Sequence, residues 1–483
     1  IMKKMNLLVM SLVSAAALSF SSCSNNEDLT GGAGTQSKVE GFYMTLAVQT
    51  PTSNGTRTQQ QGDKNKVDAT AGETKLTSGT LYLVDTTTGE VVFTKTISAK
   101  EWSNAAPATP TTGKTEIQVP VQNVTEGVKY KVYFLANTTT TANPWENTAI
   151  LSTETGFAGD YAKDDQFAMF NQNDNSSHAD QYTVTFTQAN KETPATLEKP
   201  IQLDRITARI DKPTSEASTI NGAVPENATA SQKKAIADAV DKVESITLTH
   251  YAITNLANKT YIMQNWGEKW AALQIPTAAT GFTYMQQPEG LGGKYSIDNE
   301  KWFTDAAKNY VFENTDGTPT TMYFEYTVAL KAEKFSDTPD CTDGTFYRYN
   351  GNIYRSIQAI YDAYKDQPVL FGGKTADKLK AELKIAEGKI GASEAELAAF
   401  RQNNVIEVFR AGKTYFSQVI TDNWLKTNTI QRNTVYRLNV KNIFNVGADV
   451  PNGDPVDNKP MYYLDVEVSV NPWVLSTQDV ELK

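Results

Sequence analysis

Short stretches in which every second residue is apolar recur from one end of this chain to the other. "VKYKVYFLAN" (128–137), "NTVYRLNVKNI" (433–443) and "MYYLDVEVSV" (461–470) are three of them. A period of two belongs to a half-buried β-strand, because successive side chains of a pleated backbone point to opposite faces. "TLYLVD" and "EVVFTKTI", joined by the turn "TTTG", obey the same rule, as do "KTEIQVPV", "QYTVTFTQ", "IQLDRITARI", "VESITLTHYAIT", "MYFEYTVALKAE" and "TYFSQVI". A sheet with one apolar face must be covered by a second layer. With 483 residues and 40% hydrophobic content, the chain has material for two such cores. The expectation is a mainly β fold of layered sheets with a few short helices.

Helical periodicity is confined to three places. "SQKKAIADAVDKV" spaces Ile236, Val240 and Val243 on one face, and residues 375–390 do the same with Leu379, Leu383, Ala386 and Ile390. Ser393 followed by Glu396 is a capping box that opens a third helix. These stripes read as core-facing surfaces. Residues 212–230, "KPTSEASTINGAVPENATA", have the Pro, Ser and Asn content of an inter-domain linker. The division expected is a signal peptide at 1–22, a propeptide at 23–57, and domains at 58–211 and 212–483.

The first fifty-odd residues have their own logic. Lys3 and Lys4 precede the apolar run "LLVMSLVSAAALSF", which is shorter than the about 20 residues of a membrane-spanning helix. Ser21, Ser22 and Cys23 then resemble a bacterial lipobox, with Cys23 as the acylated residue; an ordinary signal peptide is the plainer reading. A polar, Gly-rich tether leads to "GFYMTLAVQT", in which Phe42, Met44, Leu46 and Val48 share one face of a strand at 42–50. "PTSNGTR" comes next, and its Arg57 is the single arginine between Cys23 and Ile201.

Signatures of catalysis are scarce. His178 sits in a polar loop, and His250 lies on the strand face of Ile246 and Leu248, so neither a triad nor a histidine metal site is supplied. "FGGKT" (371–375) has Pro368 where a phosphate loop needs glycine, and "GLGGK" (290–294) is turn punctuation. Cys341, the one cysteine besides Cys23, falls in the polar loop "SDTPDCTDG" and reads as an ordinary thiol. A net charge of −10 argues against nucleic acid as a partner. No enzymatic activity, cofactor or metal is expected.

"FRAGKTYFSQVITD" (409–422), "IQRNTVYRLNVKNIFNVG" (430–447) and the ending "YYLDVEVSVNPWVLSTQDVEL" together resemble the C-terminal part of Bacteroidales-type fimbrillins, the subunits of type V pili. The run Arg432-Asn433-Thr434 followed by Tyr436 carries much of the likeness, and "VYFLAN" and "LDRITARI" extend it to the first half. The variety most similar is the major subunit of the short, or minor, fimbrium. The resemblance implies two tandem transthyretin-like β-sandwiches. It also implies a lipidated precursor at the cell outer membrane, cut between Arg57 and Thr58 by an arginine-specific surface protease, and then an extracellular fimbrium that supports adhesion. Its partners would be other copies of itself, accessory fimbrial subunits, and the outer membrane through the lipid.

Removing residues up to Arg57 would take strand 42–50 out of its sandwich. Four apolar side chains at ~1.5–3 kcal/mol each make refilling that gap worth roughly 6–12 kcal/mol, enough to drive strand addition. The expected donor is the C-terminus of a neighbouring copy: Trp473, Leu475, Val480 and Leu482, beyond a break at Pro472 and released at the connector 445–461. The plainer reading is that these residues complete their own domain. Two other classes stay open, an accessory anchor or tip subunit and a surface glycan-binding lipoprotein.

Overall fold

A computed structural model of the chain describes residues 41–50, 67–105, 114–173, 178–224, 226, 228–268, 272–276, 282–283, 303–315, 317, 319–367, 369–422, 425, 427–451 and 464–475. The chain is mainly β, as the alternation requires. Besides short two-stranded pairings at Ile150–Ser152, Ala162–Lys163 and Gln166–Phe167, the first half contributes β1 (Phe42–Gln49), β2 (Val67–Ala69), β3 (Gly79–Asp85), β4 (Val91–Ile97), β5 (Lys114–Val121), β6 (Lys129–Ala136), β7 (Met169–Asn171), β8 (Thr183–Thr185), β9 (Ala195–Thr196) and β10 (Ile201–Arg205). Of these labelled strands, β1 and β3 to β10 form one nine-stranded sheet with β4 at its edge. Its apolar side chains converge: Met44, Leu46 and Val48 meet Leu81, Ile117, Val119, Phe134, Met169 and Ile201 in one buried cluster.

The second half contributes β11 (Ala208–Asp211), β12 (Val243–Thr254), β13 (Lys308–Val311), β14 (Thr321–Leu330), β15 (Lys413–Val419), β16 (Thr434–Ile443) and β17 (Leu464–Leu475). The order β2-β17-β16-β11-β13 makes one sheet, and β12-β14-β15 makes a second. Between them lies a core in which Ile210, Tyr436, Leu438 and Val440 face Ile246, Tyr251, Phe324, Tyr326 and Phe416. This is a β-sandwich, with side chains of two inner faces interdigitating.

Six helices among the described residues accompany the sheets: α1 (Ala71–Thr74), α2 (Ala99–Ala105), α3 (Ala230–Lys242), α4 (Ile357–Tyr364), α5 (Ala376–Leu383) and α6 (Glu394–Asn404). The last three, with short strands at Phe346–Tyr349, Asn352–Tyr354 and Glu407–Phe409, form a module inserted between β14 and β15. No helix among the described residues is long and apolar enough to cross a membrane. Ser393 and Glu396 cap α6 reciprocally, as their spacing predicts.

Several local expectations are corrected. The stripe at 375–390 is not one helix, since Lys384 adopts φ 49° and ends α5 at Leu383; Ala386 then pairs with Lys389 in a tight turn. In α3 the buried face is Gln232, Ala235, Ile236 and Ala239, which leaves Val240 37% exposed. His250 does not share a face with Ile246 and Leu248. The register against β14 slips between Leu248 and His250, and this bulge turns His250 to the opposite face, where its Nδ1 lies 2.7 Å from Glu325. Residues 212–230 do not form a free span: Thr214 and Ser215 pair with Asn439 and Val440, and Ile220 bridges to Ile443. Cys341 is buried against the helical module, and burial pushes its thiol up to about 11.

Candidate functional site

The strand whose alternation singled it out is not at an edge. Along its whole length β1 pairs antiparallel with β5, from Phe42↔Val121 to Gln49↔Lys114. Its other side is filled by β9 (Met44↔Ala195) and then β10 (Val48↔Ile201), both parallel to it. Met44, Leu46 and Val48 are fully buried, whereas Tyr43, Thr45 and Gln49 on the other face are half-buried. Phe42 closes one end of the row: its ring lies 5.6 Å from that of Phe186, and the Lys191 ammonium sits 5.7 Å from its centroid. At the other end Gln202 donates to Gln49 at 2.7 Å. Taking β1 away would leave a slot between β5 and the β9–β10 side, with unpaired backbone on both walls and three apolar pockets in its floor.

The opposite terminus supplies the second long ladder. β17 pairs antiparallel with β16 from Ile443↔Leu464 to Thr434↔Pro472. The strand does not break at Pro472, as expected from the sequence, but runs through it. The proline, which has no amide to donate, stands where β17 exchanges one neighbour for another. Past it, Trp473, Val474 and Leu475 pair parallel with Val67, Asp68 and Ala69 of β2. Trp473 and Leu475 therefore lie on the last described strand. Cys23, Arg57, Thr58, Val480 and Leu482 lie outside the described residues.

The first residues of the connector before β17 are anchored to the rest of the molecule. Arg348 donates to the carbonyl oxygens of Val446 (2.7 Å) and Gly447 (3.0 Å) while gripping Glu407 through two nitrogens. Ala448 exchanges backbone hydrogen bonds with Tyr415, and Asp449 meets Arg401 at 2.8 Å. Burial raises the Asp449 carboxyl to about 6, against the lowering charge of Arg401. Both arginines come from the inserted helical module. Residues 452–463 are outside the described residues.

Between the two halves lies a buried polar seam that alternation does not reveal. α1 opens with a reciprocal cap between Thr70 and Glu73. The fully buried Glu73 carboxylate receives Lys308 Nζ at 2.6 Å, Tyr310 Oη at 2.9 Å and Arg209 Nη1 at 3.2 Å. Burial alone would push this carboxyl up, but the Lys308 and Thr70 hydrogen bonds and the nearby cations prevail and hold it at about 2. Arg205 donates to the Glu73 carbonyl (2.6 Å) and to Asn433 (2.8 Å). The motif quoted for its family likeness does its physical work here. Arg432 donates to the Ile262 carbonyl at 2.6 Å and to Glu313 at 2.7 Å, and Asn433, at φ 54°, donates to Asp204 at 3.0 Å. Asn433 thus ties the start of β16 to the end of β10, while Arg432 ties it to Ile262 and to Glu313 just past β13.

Among the described residues no group of three or more His, Cys, Asp or Glu is placed to hold a metal. Among curated proteins, none matches the chain. A solved fimbrilin from Porphyromonas gingivalis W83 is similar at 14% identity and TM-score 0.45, over 90% of this chain and 99% of that one. The tip fimbrial protein of the same organism, C-terminally truncated, is similar at 13% identity and TM-score 0.34, over 89% and 100%. Residues 407–479 match the family described as "Major fimbrial subunit protein type IV, Fimbrillin, C-terminal". That segment holds β15, β16 and β17, the rooted connector and the Arg432–Asn433 seam. The similarity to fimbrillins is thus shown for this C-terminal segment, whose sequence resembles the C-terminal region of that family.

Proposed function

We propose that this chain is the repeating stalk subunit of a cell-surface fimbrium, exported as a lipoprotein acylated at Cys23. An arginine-specific protease cuts it after Arg57, and the mature chain polymerises by donor-strand exchange, with sandwich domains at 58–211 and 212–483. The observation that carries this reading is the setting of β1: a fully paired, apolar interior strand that ends eight residues before the lone Arg57. A strand with partners on both sides is normally irreplaceable, and attaching one to a cleavable leader makes sense when its place is meant for another occupant. The donor is the end of β17 together with the residues beyond it. Accessory subunits of the same fimbrium and adhesion of the assembled filament belong to this proposal.

The test is Arg57→Ala. The variant is expected to fold, to accumulate as a lipidated surface monomer and to stay monomeric after treatment with an arginine-specific protease, while the unsubstituted chain forms ladders on mild SDS gels. Equal ladders from both proteins would refute the reading.

A further inference from the structure

We propose that β2 and α1 form a latch on the far end of the C-terminal strand, so that the cut that opens the acceptor slot also loosens the donor; this rests on the donor-strand reading above. Beyond Pro472 the ladder with β16 has ended, and β2 is the strand that holds Trp473, Val474 and Leu475. The two parts of the latch differ in strength. β2 is three residues long, and a ladder of that size is marginal by itself. Its anchor is the opposite: Ala69 is buried in the first core, and Glu73, four residues on, is fixed by Lys308, Arg209 and Tyr310 inside the seam.

Covalent order adds the control. In the uncut chain β2 is tethered from both directions, by α1 on one side and by β1 in its slot on the other. Arg57 lies between those tethers, ten residues before Val67. Cutting there leaves β2 held at α1 alone, with a free end leading into it. Its pairing with residues 473–475 then opens and closes as a fraying terminus does, and the donor is offered only by a subunit whose own slot has been released.

The test is a reversible lock. Cα atoms in register on adjacent strands lie within disulfide reach, so Asp68→Cys is combined with Val474→Cys in a chain whose native cysteines are Cys23 and the buried Cys341. The oxidised protein is expected to be cut after Arg57 as usual yet to add no partner through its C-terminus, and reductant restores growth. Mixed with unlocked subunits, it should terminate chains, because its slot still accepts. Growth of the oxidised protein at a rate within about twofold of the reduced one overturns the latch. Chains built from a subunit lacking residues 464–483 overturn the donor reading, and the latch with it. An independent measurement avoids the disulfide: in the cut protein, Glu73→Gln should speed amide exchange at 473–475 about tenfold or more beyond any change it causes in β14, whose exchange reports global stability. Unaltered exchange at 473–475 speaks against the latch.

Discussion

Glu73 shows how much a single side chain can decide that its own neighbourhood in the sequence conceals. "DATAGETKL" contains nothing unusual, yet the glutamate is fully buried beneath a lysine, an arginine and a tyrosine drawn from 136 to 237 residues away. Removing one member of a buried charge cluster strands the others, at about 3–5 kcal/mol. Glu73→Gln keeps the shape and loses the charge, so urea unfolding should show a loss of that order. Acid should act the same way. Since the folded carboxyl titrates at about 2 rather than at the usual 4.5, its contribution is complete above pH 4.5 and is lost as the pH falls from there towards 2. Denaturation midpoints measured across that window should fall in the unsubstituted protein and stay flat for this contribution in the glutamine variant. The sequence offered one clue, the Thr70–Glu73 spacing of a capping box, but a cap is ordinarily exposed. Asp449 obeys the opposite rule: burial raises its carboxyl to about 6, so its contribution favours the fold at low pH and is lost as the pH rises through 6.

At the level of elements, β1 was readable because one face is apolar and the other is not, and burial follows the same parity from Tyr43 to Gln49 except at the small Ala47. What parity does not give is the company a strand keeps: its antiparallel and parallel neighbours lie from 65 to 153 residues away. The prediction for this element is a contrast. Leu46→Ala in the uncut chain removes buried side-chain volume and should cost about 2–5 kcal/mol in thermal or urea unfolding. The same substitution has no counterpart in a protein beginning at Thr58, so its effect should vanish on cleavage; a difference that survives in the mature subunit would mean that β1 had not left. Elsewhere legibility failed for local physical reasons. A bulge at Thr249 inverted the face of His250, a left-handed Lys384 cut a helical stripe short, and a polar loop carried Cys341 into the core because flanking segments packed over it. None of these is a property of hydropathy alone.

Across the whole molecule, the sequence showed β layers and a family-like ending, and the three-dimensional structure explains that ending. Asn433 stitches β16 to β10 and Arg432 stitches it to the carbonyl of Ile262, while Arg348 and Arg401 clamp the stretch that leads into β17. The stretch from Arg432 to Asp449 is thereby anchored ahead of β17. Deleting residues 474–483 should accordingly leave folding and cleavage after Arg57 unchanged and abolish chain growth on mild SDS gels; undiminished ladders would place the donor elsewhere. The slot itself carries one more consequence. One wall, β5, runs antiparallel to its occupant, and the other, β9 with β10, runs parallel. An occupant inserted backwards would meet one parallel and one antiparallel wall as well, so backbone hydrogen bonding discriminates weakly between the two directions. The ends of the slot differ far more: the Phe42 end is closed by Phe186 and Lys191, and the Val48 end by Gln202 beside Gln49. On the donor-strand exchange proposed above, the direction of a filament would be set by a few side chains at the two mouths of the slot, and exchanging those mouths, rather than altering its walls, is how its polarity would be reversed.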